Sequence, residues 1–188
     1  FLSFEYSEML PTYSLEELLE NHSEIYDAYF EKLDLGRKFN IYLKKGYYPY
    51  YKESGIKYHD RLQSVILQVI DSDMAAIFKI DYESARQIKK MLALISKIVP
   101  FSPNVSKLSR DLAMSRNSVL TYLDYLSEAD IIYGLKSTSK SDSSLTKPDK
   151  IYFENTNLLY AFDVASVNTG TIRETFVMNT LSRNGLVS

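Results

Sequence analysis

Cysteine is absent from the 188 residues, and so is tryptophan. Without cysteine there is no disulfide, no thiolate metal site and no Cys nucleophile, and the composition fits a reducing cytoplasm. Only two histidines occur, His22 and His59. Neither has a second histidine at ligand spacing, so both read as surface residues rather than metal ligands or general bases. No apolar run approaches the roughly 20 residues of a membrane span, and no secretory signal opens the chain. GxxxxGK[ST], GxSxG, HExxH and GxGxxG are all missing. With them go the Gly-rich cradle for nucleotide phosphates and the common hydrolase and dinucleotide signatures. The expectation is therefore a cytoplasmic protein with no metal, no bound cofactor and no membrane contact.

What is present supports a folded chain. Hydrophobic residues make up 45% and charged residues 24%, enough to bury a core. A length of 188 residues allows one domain or two small ones. The net charge of −2 is unevenly spread. Residues 1–83 carry nine Lys/Arg against fifteen Asp/Glu, whereas residues 84–188 carry thirteen against nine. An acidic front and a basic back predict modules with different surfaces.

The front reads as a helical bundle over residues 1–83. Ser14 followed by Glu17 is a capping-box pattern. Ile25, Tyr29 and Leu33 share one helix face, and Leu62, Ile66, Val69 and Ile70 share another. Between them Gly46 stops a helix, and YYPYY makes a Pro-interrupted aromatic turn. Tyr47, Tyr48, Tyr50 and Tyr51 read as a satellite aromatic core rather than as a base-stacking platform.

Residues 84–154 follow the order of a winged helix-turn-helix. SARQIKKMLALISKIV places Ile88, Met91, Leu92, Ile95, Ile98 and Val99 on one face, with Arg86, Lys89, Lys90 and Lys97 opposite. A short helix, VSKLSRDL, follows Asn104. Ala113, Met114 and Ser115 then turn into a longer helix, with Ser115 as N-cap. IIYGLK and KIYFEN are strands around a polar Ser/Lys/Thr loop. The longer helix should bury Val119, Leu120, Leu123 and Leu126. Asn117, Ser118, Thr121, Asp124 and Tyr125 then face outward, and Asn, Ser and Thr can read base edges. Arg116 is placed to reach a phosphate, and Lys136, Lys140, Lys147 and Lys150 are the basic groups of the wing. Asp124, Asp142 and Asp149 work against a phosphate backbone, so a protein partner stands as the alternative to double-stranded DNA.

Residues 155–188 begin a third segment. There Ile172, Phe176, Val177 and Leu181 form an apolar stripe, and Glu174 is an ordinary helix glutamate when taken alone. Phe1 in place of an initiator methionine leads us to expect a piece of a longer protein.

Four stretches in order carry a resemblance. FLSFEYSEML, GYYPYY, KLSRDLAMSRNSVLTYLDYLSEADIIYGL, and KIYFENTNLLYAF with GTIRETFVMNTL resemble the C-terminal part of a prokaryotic AAA-type P-loop ATPase. That group carries a winged helix and then a restriction-endonuclease-like domain of unknown function. Tyr47 and Asn157 stand where the group usually has Gly, and Asn155 where it usually has Asp. The resemblance implies a mainly α fold: a lid-like bundle (1–83), a winged helix-turn-helix (84–154) and the truncated start of an α/β nuclease-like domain (155–188). It also implies that ATP and Mg²⁺ bind the parent upstream of Phe1, that this stretch is itself catalytically inactive, and that Glu174, which matches the group's helix glutamate, is the candidate catalytic residue of its last segment. The winged helix would contact DNA or a partner protein under control of ATP turnover. A stand-alone winged-helix transcription regulator and a protein-interaction adaptor are the alternatives.

Overall fold

The computed structural model describes residues 13–48, 50–136, 147–162, 167–183 and 185. The FLSFEYSEML stretch, Pro49, Lys140 and Asp142 lie outside them. The described chain is mainly α-helical with one small antiparallel sheet. It divides into two compact units, Phe1–Glu53 and Ser54–Ser188. That division precedes the change of charge at residue 83, because the helices after Ser54 pack with elements much later in the chain.

The first unit contains α1 (Leu15–Leu33) and α2 (Leu35–Lys45), joined through the single residue Asp34. The capping box forms: Ser14 N–H donates to Glu17 Oε2 at 2.7 Å, and Glu17 N–H donates to Ser14 Oγ at 3.1 Å. Non-helical angles at Asn21 kink α1. Asp34, in the left-handed region at φ 48°, separates the two helices, and Gly46 at φ 66° ends α2. Tyr47, Tyr48 and Tyr50 are half-buried and pack ring on ring at 4.8 and 5.8 Å.

The buried apolar side chains from Tyr58 to Leu159 build the core of the second unit. Short helical turns at Tyr51–Ser54 and Gly55–Lys57 lead into α3 (Tyr58–Val69), a π-helical turn (Ile70–Met74) and α4 (Ala75–Phe78). Tyr58, Leu62, Ile66, Ile70 and Met74 form a buried ladder at strict four-residue spacing. In an ideal α-helix such a row drifts about 40° per step. The wider π turn takes back part of the drift and keeps Met74 inside. Each fully buried Leu, Ile or Met stabilises the fold by about 1.5–3 kcal/mol.

Lys79, at φ 52°, ends this rod. The Asp81 side chain then caps α5 (Tyr82–Ile95) by accepting from Ser84 N–H at 2.8 Å. Ala85, Ile88, Met91, Leu92 and Ile95 are buried, as is Val99. Ile98, expected on the same face, is 45% exposed, because α5 stops at Ile95 and the chain turns before Val99. The basic face is solvated and partly paired: Arg86 lies 3.4 Å from Glu83, and Lys89 lies 2.7 Å from Asp71 of the π turn.

Next come α6 (Val105–Leu112) and α7 (Arg116–Glu128), separated by Ala113, Met114 and Ser115. Asn104 Oδ1 accepts from Lys107 N–H and Ser115 Oγ from Ser118 N–H, both at 3.0 Å, so both helices carry the expected caps. Ala113 makes the turn at φ 52°. The buried face of α7 is Val119, Tyr122, Leu123 and Leu126. Tyr122 thus takes the place expected of Leu120, because its hydroxyl reaches Gln87 of α5 at 3.3 Å.

β1 (Ile132–Leu135) and β2 (Lys150–Phe153) pair antiparallel, from Ile132 opposite Phe153 to Leu135 opposite Lys150. Phe101 exchanges both backbone hydrogen bonds with Ile151 and so covers the other edge of β2 at that residue. Pro148 stands 3.2 Å from where a Cβ of residue 134 would sit, which suits Gly134.

Two helices close the unit. At the start of α8 (Thr156–Phe162), Asn155 Oδ1 accepts from Asn157 N–H at 3.1 Å. Asn157 Nδ2 donates to the buried Tyr58 hydroxyl at 2.9 Å. In α9 (Thr169–Arg183) the buried residues are Thr175 and Asn179, not the expected apolar stripe, and Val177 is half-exposed. The helix docks by polar contacts: Asn179 Nδ2 donates to the Phe153 carbonyl at 3.0 Å, and Arg183 pairs with Glu154 at 2.9 Å. Among the described residues, no helix is long and apolar enough to cross a membrane.

Asn157→Ala leaves the Tyr58 hydroxyl short of a buried donor, a loss of about 1–3 kcal/mol. The urea midpoint should fall with an unchanged slope. An unchanged midpoint would remove this bond from the account of stability.

Candidate functional site

The residues expected to face a partner fall into three groups. Arg116 and Asn117 stand exposed on the first turn of α7. Lys136 and Lys147 are exposed where the ribbon meets the polar loop. Neither Arg116 nor these two lysines makes an ion pair with a described residue. Lys140 belongs to the loop outside the described residues.

The second group is partly engaged. Ser118 is half-buried, and its hydroxyl lies 2.9 Å from Ser115 Oγ within the helix cap. Thr121 is half-buried beside it along α7. Tyr125 is stacked on Phe78, the last residue of α4, with centroids 4.1 Å and planes 6° apart. Stacked aromatic pairs add about 0.5–1.5 kcal/mol beyond area burial. The sequence offered no sign of this partner, since 47 positions separate the two rings.

The third group is used inside the fold. Lys150, read as a wing lysine, forms an ion pair with Glu174 of α9. Its ammonium also lies 5.6 Å from the centroid of the Tyr152 ring. Tyr152 donates its hydroxyl to the same carboxylate oxygen at 3.0 Å. Hydrogen bonding from Lys150 holds Glu174 below the usual carboxylate range. Burial, followed by the Glu174 carboxylate, pushes the Tyr152 phenol upward. Glu174 also forms part of the wall of a cavity of about 320 Å³, together with Ser96, Lys97, Asn168 and Thr171. A carboxylate already held by a cation and a phenol serves to fasten α9 to β2. Among the described residues no three His, Cys, Asp or Glu side chains are grouped to hold a metal ion.

Two cations outside the expected set, Lys107 and Arg110, are exposed on α6, three residues apart. That i,i+3 spacing opposite Val105 and Leu108 is a legible signal of one solvent face. Of the histidines, His22 is exposed, with Nδ1 3.1 Å from the Leu19 carbonyl. His59 departs from the surface reading. It is half-buried, stacked on Tyr160 at 5.7 Å and edge-on to Tyr58 at 5.1 Å.

These features define a mainly helical protein in which two capped helices, joined by three residues, precede a two-stranded ribbon. The chain belongs to the family described as Domain of unknown function (DUF8612), which matches residues 36–169. No curated protein and no solved structure matches it.

The Glu174 contact has a signed pH dependence. A carboxylate held low in the folded state stabilises fully above its unfolded value of about 4.3. That contribution is lost as pH falls through the lowered folded value. Glu154, raised mainly by burial, works in the opposite sense: its contribution is lost as pH rises through its folded value. Glu174→Gln should lower Tm by about 1–3 °C at pH 7, given the solvent exposure of the pair. The gap from the native protein should close toward pH 2. A gap that stays constant across that range in thermal melts would show that the ion pair does not act on stability.

Proposed function

We propose that residues 84–154 form a winged helix-turn-helix that contacts double-stranded DNA, with α7 as the reading helix and the β1–β2 ribbon as the wing. The observation that carries this reading is the start of α7. Ser115 caps the helix, and Arg116 and Asn117 stand exposed on its first turn, directly after a three-residue connection from α6. A guanidinium there suits a phosphate oxygen, and an Asn amide can pair with adenine N6 and N7. Lys107, Arg110, Lys136 and Lys147 supply further cations that have no acidic partner among the described residues.

The resemblance to AAA-type ATPases supports placing this module in a larger machine. In that parent, the elements ahead of the winged helix form the lid, and ATP with Mg²⁺ binds upstream of Phe1. Nucleotide turnover then repositions the winged helix on DNA. The GxxxxGK[ST] phosphate-binding loop is not in this stretch, so this reading assigns nucleotide binding to the parent. The cysteine-free composition supports a cytoplasmic setting. Asp124 and Glu128 on α7 favour a second reading, in which the same module grips a basic protein surface.

Anisotropy titrations of the protein against duplex DNA at several salt concentrations test the first reading. Log K should fall linearly with log[salt], and Arg116→Ala should reduce the slope by about 0.9. Absence of binding at low salt would remove DNA as the partner and leave the protein-binding reading.

A further inference from the structure

The two helices of the first unit are rich in apolar residues and bury none of them. Among the described side chains of α1 and α2, every one is exposed or half-buried. Leu19 is 69% exposed, Tyr26 50% and Ile41 39%. Ile25 and Tyr29 on α1, and Phe39, Tyr42 and Leu43 on α2, are half-buried. A helix of 11 residues such as α2 is marginal in water unless a packed face holds it. Apolar surface left open on both helices is the mark of an interaction face.

The charge of the two helices says what covers that face. α1 carries six acidic residues against the single Lys32. α2 carries Arg37, Lys38, Lys44 and Lys45 and no acidic residue. Arg37 pairs with Asp34 of the connection, so that contact stays inside the chain. Two copies of α1 set against each other repel, as do two copies of α2. α1 set against α2 attracts, over a range of about 8 Å at physiological ionic strength.

A surface with one acidic and one basic half is complementary to its own copy. A twofold axis lays α1 of each copy on α2 of the other, and both favourable contacts form at once. Four helices can then enclose the apolar side chains that two leave open.

We propose that the first unit is a self-association surface: a second copy of this chain docks there, its α2 on α1 and its α1 on α2. The contact covers Leu19, Tyr26 and Ile41. It uses neither α7 nor the ribbon, so it stands or falls separately from the DNA reading.

Sedimentation equilibrium of the protein tests it. The average mass should climb with concentration from the 21.7 kDa of one chain toward twice that value. Leu19→Glu should move the midpoint to about tenfold higher concentration, since a buried Leu is replaced by a charge. Ile41→Lys should act in the same direction. Helical circular dichroism checks each variant, and where one loses its helix the other decides. The pairing has its own readout. The chain has no cysteine, so Ser23→Cys on α1 and Asn40→Cys on α2 each supply one thiol. With a short bis-maleimide, a mixture of the two variants should give more crosslinked dimer than either alone. A mass of one chain at every concentration up to about 100 µM would overturn self-association and leave the face to another occupant. A midpoint moved by neither folded variant would overturn this surface as its site. Crosslinking strongest within Ser23→Cys alone would overturn the α1-on-α2 pairing.

Discussion

The hydrogen bond from Asn157 to the Tyr58 hydroxyl joins residues 99 positions apart, inside the protein. Its neighbours on α3 are apolar, and apolar burial is non-directional. Leu62, Ile66 and Ile70 would accept several sliding arrangements against α8. A donor and acceptor placed away from water accept few, because a misaligned pair loses its bond in a low-dielectric setting. The bond therefore sets the register of α8 on α3. Since β2 ends only three residues before α8, the register passes to the ribbon, then through β1 to α7, which packs on it. The orientation of Arg116 and Asn117 is thus tied to a polar contact far from either.

Cations in this chain have two fates. Lys89 and Lys150 bridge separate elements, the first from α5 to the π turn and the second from β2 to α9. Lys107, Arg110, Arg116, Lys136 and Lys147 bridge nothing among the described residues. A net charge of −2 hides this division. Excess negative charge is partly spent on internal pairs and partly carried by the first unit, whereas the unpaired positive groups lie in α6, α7 and the ribbon. Charge counted by module was informative for that reason, even though the unit boundary lies elsewhere.

Local signals were legible. The Ser14/Glu17 box, the Asn104 and Ser115 caps and the limits of α7 depend on residues within four positions of one another. The ribbon was legible too, because two short apolar runs around a polar loop leave few other pairings. What escaped depends on distant partners. Nothing near Tyr125 announces Phe78, and nothing near Lys150 announces Glu174. The stripe on α9 misled for a related reason. Apolar spacing marks the buried face only when apolar burial is what docks the helix, and α9 docks through Glu174, Asn179 and Arg183. Ile98 was placed on a helix face that ends three residues too early. The π turn went unseen because a four-residue spacing of apolar residues is equally the pattern of a regular helix. For the candidate interface, residue types and the helix start could be read. Which of them remain accessible could not.

The polar seating of α9 gives the molecule two kinds of strength. The ladder on α3 is held by exclusion of water, which dissolved ions strengthen or leave alone. The α9 seam adds two ion pairs to its buried Asn179 contact, and counterions shield exposed charges within a Debye length of about 8 Å at physiological ionic strength. Salt therefore acts on the ion pairs of α9 and denaturant on the buried ladder. Two fastenings of the last helix, Lys150–Glu174 and Arg183–Glu154, thus respond to the ionic composition of the surrounding solution.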